Sequence, residues 1–309
     1  MLDYETMLAK NQPFRGFFTL FWVTMAAGVL VTIIKNFSTH GTLVSLRLAV
    51  QMSKNGVELV ASDIAMVASM FICIPIMKLI VAAPLPRFFV TATYLAYELV
   101  WLSLWVTWVV YNEWEWTQSG AFTMHIISML MKQHSYLTYN TELAYKYKVY
   151  QAAITIAATS KKLDSQDEAN STTNLAELKH ELVKETVSFP ANLTLYKFAD
   201  YVALPTLVYE LEYPRTSSFR LWYFLERCLT TVTTISLAYI VMEHYIYPVL
   251  NLLPEQSVVE SLVSLLIPCM LLWILLFYVI FECICNASAE LTYFADRHFY
   301  ADWWNVLIY

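Results

Sequence analysis

Charged residues are sparse along this chain, and the apolar runs between them are long. Crossing the roughly 30 Å hydrocarbon core of a bilayer takes about 20 residues of helix at 1.5 Å each. Residues 16–34 carry no charge and predict one span. Residues 59–83 predict a second, with Asp63 near its start and Lys78 near its end. A third covers 88–111 and holds Glu98 inside it. The fourth, 116–131, is shorter and ends in Lys132-Gln133-His134. Residues 221–241 predict a fifth span and 261–281 a sixth, the last uncharged and rich in Leu and Ile. The expected fold is all-α, a polytopic membrane protein of about six transmembrane helices.

A different pattern separates the fourth and fifth spans. Residues 141–200 hold 15 of the 44 Lys, Arg, Asp and Glu residues. Within them, 160–173 is rich in Ser, Lys, Asp and Asn and reads as a solvated loop. Leu175, Leu178 and Leu182 then recur at helical spacing with Glu177, Lys179 and Glu181 between them. Such a helix either lies on a membrane surface or packs on its own protein. The expected organisation is a cytosolic segment 1–15, spans one to four in 16–140, a cytosolic loop 141–218, spans five and six in 219–285, and a cytosolic segment 286–309. Basic residues set that orientation. Lys132, Lys146, Lys148, Lys161 and Lys162 follow the fourth span, whereas the loop before it has Glu113 and Glu115 and no basic residue. Lys35, Arg47 and Lys54 fit less well, because the first loop would then be lumenal. The acidic start, Asp3 and Glu5, does not read as a cleavable signal, so targeting falls to the first span.

Composition narrows the class. Only 14% of residues are charged, against about 25% in a soluble domain, which excludes an ordinary aqueous enzyme. A net charge of −6 argues against a nucleic-acid partner. The five cysteines, Cys73, Cys228, Cys269, Cys283 and Cys285, lie in apolar runs without metal-ligand spacing and read as reduced core residues. Sequons occur at Asn36, Asn170, Asn192 and Asn286; on the expected topology only Asn36 faces a lumen.

No phosphate-cradling glycine loop, HExxH motif or metal cluster is present, so no metal and no cofactor are expected. Ionisable groups inside a membrane are costly. Most of them here, among them Glu282 and the pairs Glu226-Arg227 and Glu243-His244, sit near span ends and can snorkel. Glu98 lies well inside a span. It either lines a polar path or bonds a neighbouring helix, and packing is the commoner use of a polar group in a membrane. Three stretches are too polar and aromatic for plain lipid contact: 131–140, with Lys132, His134, Ser135 and Asn140; 205–216, with Tyr209, Glu210, Tyr213 and Arg215; and 286–305. The third sets Glu290, Asp296, Arg297, His298, Asp302 and Asn305 among six aromatic rings. Such a mix suits an interfacial segment that offers donors and acceptors to a ligand, or a membrane-interface aromatic belt.

The wording of these stretches carries a resemblance. Phe299-Tyr300-Ala301-Asp302-Trp303-Trp304-Asn305 resembles the FYxDWWN motif of the sterol and diacylglycerol branch of the membrane-bound O-acyltransferases. Residues 131–140 resemble the MKxHSxxxxN segment of sterol O-acyltransferases, 205–216 their PTLxYxxxYPRT segment, and 286–297 their NAxAELxxFxDR run. The similarity is weak in the first spans and strong from Met131 onward, and it is most like the fungal sterol enzymes.

That resemblance implies transfer of a fatty acyl group from acyl-CoA, a co-substrate, to a sterol hydroxyl at the endoplasmic reticulum membrane. Acyl-CoA, sterol, the bilayer and further copies of the chain are the implied partners. Phe299, Tyr300, Asp302, Trp303, Trp304 and Asn305 are implied as the acyl-CoA site, with His134, Ser135, Asn140, Tyr209, Tyr213, Arg215, Glu290 and Arg297 in support. The family's general base is a histidine in a later hydrophobic span, assisted by an asparagine a dozen residues past FYxDWWN. Neither has a counterpart in these 309 residues, and Val306 replaces the usual Ser or Cys. The chain therefore reads as an N-terminal portion, with no catalytic base assigned and no activity expected alone. Diacylglycerol as acceptor, or a non-catalytic acyl-CoA-binding partner, are the alternatives. A soluble-type HxxxD at His298 and Asp302 is a short-motif coincidence, because Trp303 stands where Gly should follow.

Overall fold

The computed structural model describes residues 15–43, 45–83, 85–159, 175–184 and 187–299. These are mostly helical, with two isolated β-bridges, Val183 with Ser188 and Arg215 with Phe294, and no strand among the described residues. The helices are α1 (Arg15–His40), α2 (Arg47–Met52), α3 (Gly56–Ser69), α4 (Cys73–Ala82), α5 (Arg87–Asn112), α6 (Trp116–Thr159), α7 (175–182), α8 (Leu195–Ala203), α9 (Leu221–Val241), α10 (Tyr247–Leu252), α11 (Val258–Phe277) and α12 (Cys285–Leu291).

Five stretches among the described residues are long and apolar enough to cross a membrane: Thr19–Thr39, Gly56–Ala82, Arg87–Asn112, Leu221–Leu252 and Val258–Leu291. The expected fourth span, 116–131, is instead the first part of the 44-residue α6. That helix runs on through residues expected to open the polar loop. Its later turns bury Tyr136, Leu137, Leu143 and Ala144, and packing extends the helix where local polarity suggests a stop.

Prolines explain the breaks in the long helices. Pro75 has no N–H to give to the carbonyl of Phe71, and the chain tightens to a 3-10 turn over Met70–Ile72. Pro248 likewise follows a π-helical turn at Met242–Ile246. A second π segment, Tyr278–Ile284, joins α11 to α12. Ser257 caps α11 by accepting from the Glu260 N–H, and Thr194 caps α8 by accepting from the Lys197 N–H.

The chain divides into two compact units. One is the continuous run Met52–Pro214. Its core follows from helical periodicity: Met66, Met70, Cys73 and Met77 recur every three or four residues along one face and are fully buried. Val90, Trp101, Trp105, Phe122, Ile126 and Leu137 complete that core. Three indoles of α5 find hydroxyl acceptors on α3: Trp101 and Trp105 donate to Ser69 Oγ (2.7 and 3.2 Å), and Trp108 to Ser62 Oγ (3.0 Å). The amphipathic α7 packs on this unit through Leu182, which belongs to the core, and through an ion pair between Glu181 and Lys146.

The other unit combines residues up to Gln51 with Arg215 onward. Leu237, Ala238, Val241, Ile246 and Leu275 form its core, with Phe21, Trp22, Met25 and Val29 of α1 against it. Glu282 and Arg227 do not snorkel, contrary to expectation. They pair at 2.6 Å, each with a side chain only 1% exposed, and Glu226 bonds the same guanidinium at 3.0 Å. A buried charge is tolerated only when paired, and here the partner lies on a neighbouring helix. Glu243 is also turned inward. It accepts from Ser45 Oγ (2.5 Å) and from the Leu48 N–H (3.2 Å), close to the start of α2.

Three sequons lie on buried asparagines, Asn36, Asn192 and Asn286. Asn36, the one expected to face a lumen, donates instead to the carbonyl of Thr42. Asn170 lies outside the described residues. Cys73 and Cys283 are buried, as a core role requires, whereas Cys269 is exposed; all five are free thiols.

Candidate functional site

Two of the three motif stretches meet in the unit Met52–Pro214. Residues 131–140 form consecutive turns of α6, and their side chains divide by face. Lys132, Gln133, Tyr136 and Asn140 point inward, whereas His134 is half-exposed. Residues 205–214 follow α8 as irregular chain, where backbone groups need outside partners.

Side chains of the first stretch supply them. Lys132 Nζ donates to three carbonyls at the end of α8, those of Tyr201 (3.1 Å), Val202 (2.8 Å) and Leu204 (2.6 Å). It thereby satisfies carbonyls that a helix C-terminus leaves open and places a cation at the negative end of the helix dipole. Ser135 Oγ accepts from the Tyr209 N–H at 2.7 Å. Tyr201 donates to the Leu207 carbonyl at 2.8 Å. Asn140 donates to the Tyr136 carbonyl (2.8 Å) and accepts from Asn192 Nδ2 (2.7 Å), which also donates to the Tyr209 hydroxyl (3.0 Å).

The rings of Tyr136, Tyr201 and Tyr209 stack or meet edge to face, with centroids 4.9 to 6.5 Å apart. Tyr213 lies parallel to Tyr201, and its hydroxyl bridges Val208 and Glu210 of its own segment. Burial raises the phenol pKa of Tyr136, Tyr201, Tyr209 and Tyr213 above the ordinary tyrosine value; for Tyr209, hydrogen bonds to Asn192 and Asn140 pull partly the other way.

Above this polar lock lies a groove of about 590 Å³. Leu130, Met131, Leu207 and Val208 give it apolar walls. Its polar groups are those of Glu98, His134, Ser135, Thr138, Tyr139 and Tyr209. His134 Nδ1 lies 3.1 Å from Glu98 Oε2, so Glu98 does bond a neighbouring helix and also lines a cavity. A second pair of the same kind, Asp63 with His125 at 2.6 Å, ties α3 to α6.

The third stretch lies in the other unit. Glu290 is buried and clamped by Arg220 (3.0 Å) and Arg297 (2.5 Å), and it also accepts from the Arg220 N–H (2.6 Å). Arg215 donates to the Thr292 carbonyl at 2.5 Å, beside the bridge to Phe294. These residues hold the approach to the FYxDWWN stretch in place. Of that stretch, Phe299 is described, its N–H bonded to the Arg297 carbonyl; Tyr300, Asp302, Trp303, Trp304 and Asn305 lie outside the described residues. No cluster of three metal-ligating side chains occurs among the described residues.

Sequence reasoning picked His134, Ser135, Asn140, Tyr209 and Tyr213 for their motif. It missed Asn192, which it read as a sequon, and the pairing of Glu98 with His134. No local pattern signals either, since their partners lie dozens of residues away.

No family model matches the chain. Curated proteins do. Probable sterol O-acyltransferase 2 of Schizosaccharomyces pombe is 33% identical over 309 aligned residues, covering 94% of this chain and 64% of that protein. Sterol O-acyltransferase 2 of Saccharomyces cerevisiae is 26% identical over 97% of this chain and 50% of its own length. Diacylglycerol O-acyltransferase 1 of Bos taurus is 36% identical over a shorter region, 40% of this chain and 26% of that protein. The chain thus spans roughly half to two thirds of the length of the sterol relatives it matches. Along nearly all of its own length, this all-α, multi-span chain is similar to the sterol O-acyltransferases.

Proposed function

We propose that this chain forms part of a sterol O-acyltransferase of the endoplasmic reticulum, in which the acyl group of an acyl-CoA thioester passes to a sterol hydroxyl, leaving a steryl ester and free coenzyme A. The observation that carries this reading is that residues 131–140 and the 205–214 part of 205–216, stretches singled out by the resemblance, are locked together side chain to backbone around an apolar groove. Membrane-soluble substrates need such a cavity, and a water-poor setting favours esterification over hydrolysis.

Phe299, Tyr300, Asp302, Trp303, Trp304 and Asn305 are the proposed acyl-CoA contacts. No general base is assigned within the 309 residues.

A chimera tests this. The 309 residues replace the matching segment of the Schizosaccharomyces pombe relative, and microsomes from a host without its own esterification receive oleoyl-CoA with ergosterol or diacylglycerol. Steryl ester from the chimera, and none from the chain alone, is the expected result. A folded chimera inert with both acceptors overturns it. The partial similarity to a diacylglycerol enzyme supports a second reading, to which triacylglycerol as the sole product would point.

A further inference from the structure

We infer that the groove beside α6 holds a lipid alcohol, with the hydroxyl bonded to the groove-facing nitrogen of His134 and the ring oriented by Glu98. The inference rests on the proposed function only for the choice of alcohols to test, and it concerns binding, not the chemical step.

Depth comes first. Glu98 stands 11 residues into α5, about 16 Å along the helix axis from Arg87 at 1.5 Å per residue. α5 is long and apolar enough to cross a bilayer, and Glu98 stands near the midpoint of the helix. A cavity at that depth is reached by molecules dissolved in lipid.

Chemistry comes second. The walls of the groove are apolar, and its volume is that of a site for a small lipophilic ligand, for which about 300–1,000 Å³ is usual. Against those walls stands one ionisable pair. Glu98 is buried and His134 is half-exposed, so the carboxylate is the inner partner and the imidazole the outer one. With Nδ1 facing Glu98, Nε2 is the ring nitrogen left to meet a ligand. If the pair holds a single proton between Glu98 and Nδ1, Nε2 either carries its own hydrogen and donates, or is bare and accepts. A hydroxyl answers both states, because it donates and accepts; a ketone or an ether answers one. Ser135 is already used by the Tyr209 N–H, and the Tyr209 hydroxyl by Asn192, so these groups hold the wall in place. Thr138 and Tyr139 add hydroxyls beside the pair, so the polar groups gather along one side of the groove against Leu130, Met131, Leu207 and Val208, an arrangement that fits an amphiphile with its hydroxyl at that side.

A sterol and a diacylglycerol share this chemistry, and the test separates them. The full chain in detergent is labelled with a photoreactive sterol bearing a free 3-hydroxyl, and competed with unlabelled sterol, its 3-methyl ether, or diacylglycerol. Label is expected within residues 130–139 or 207–209, with the free alcohol competing about tenfold better than the ether, the worth of one good hydrogen bond. His134→Gln and Glu98→Gln should shrink that preference to about twofold while leaving displacement by the ether unchanged. A merely structural role would weaken both competitors together. Stronger displacement by diacylglycerol than by sterol keeps the lipid-alcohol site and assigns it the other acceptor. Equal competition by alcohol and ether, an unchanged preference in both variants, or no label in these residues because protein fills the groove, overturns the inference. Labelling is read without turnover, so an inert chimera leaves it standing, and an active chimera does not rescue it.

Discussion

An ammonium group set among three carbonyls has little freedom to be anything else. Lys132 should therefore be replaceable by neither Met nor Arg. Lys132→Met leaves the carbonyls of Val202 and Leu204 without this donor and that of Tyr201 with the Leu204 N–H, and the expected cost is roughly 3 kcal/mol, read as a lower melting temperature in detergent. The planar guanidinium of Arg does not fit a site built for a point charge, so Lys132→Arg should recover less than half of the loss. Titration gives a second prediction at this scale. Tyr136, Tyr201, Tyr209 and Tyr213 hold their protons more tightly folded than unfolded, because burial disfavours the phenolate. Their contribution is complete below the unfolded phenol value of about 10 and declines as pH rises past it, because the unfolded chain then gives up protons that the folded one keeps. Phenolate absorbance should lag in the folded protein between pH 10 and 12 and appear together with unfolding. Tyr209→Phe, which removes the hydroxyl that accepts from Asn192, should cost about 1–2 kcal/mol. Little of this is legible in a linear string. The sequence offers Lys132 as a residue of a motif, and only the distant turn of α8 shows why a cation stands there. Asn192 is plainer still: an Asn-x-Thr triplet looks like a glycan acceptor until burial places it between Asn140 and Tyr209.

Helices were the easiest part to foresee, because a run of apolar residues about as long as a bilayer is thick has few other uses. Their lengths and joints were harder. α6 outlasts its hydropathy because its later turns are bought by tertiary packing, and the π segments at Met242–Ile246 and Tyr278–Ile284 leave no simple trace in composition. The second π segment carries Glu282, whose carboxylate meets Arg227 of α9. Without Glu282 the buried Arg227 keeps only the half-exposed Glu226 as a carboxylate partner, so Glu282→Gln should destabilise by about 3 kcal/mol. The double variant Arg227→Met with Glu282→Met should recover most of that, since apolar groups of similar size do not need a partner. Thermal melts of Arg227→Met, Glu282→Met and the double variant in one detergent, beside Glu282→Gln, decide it. Additive losses would mean that the pair does not act as a pair.

For the whole molecule, the division into two units predicts separable stability. Phe198 is fully buried in the unit Met52–Pro214, edge to face with Phe71 and Tyr136. Phe198→Ala should cost about 3–5 kcal/mol there, and hydrogen exchange should quicken across 52–214 while α9 and α11 keep their protection. Equal quickening everywhere would show one cooperative block. No pattern along the chain signals this division, since hydropathy separates spans from loops and says nothing about which spans share a core. The units also differ in how the chain delivers them. Residues 52–214 are consecutive, whereas among the described residues the core partners of α1 lie beyond 215. At the ribosome's pace of about 5–20 residues per second, α1 is made roughly ten to forty seconds before those partners. During that interval α1 must wait in the lipid for partners still being translated, so a factor that shelters newborn helices has a task here.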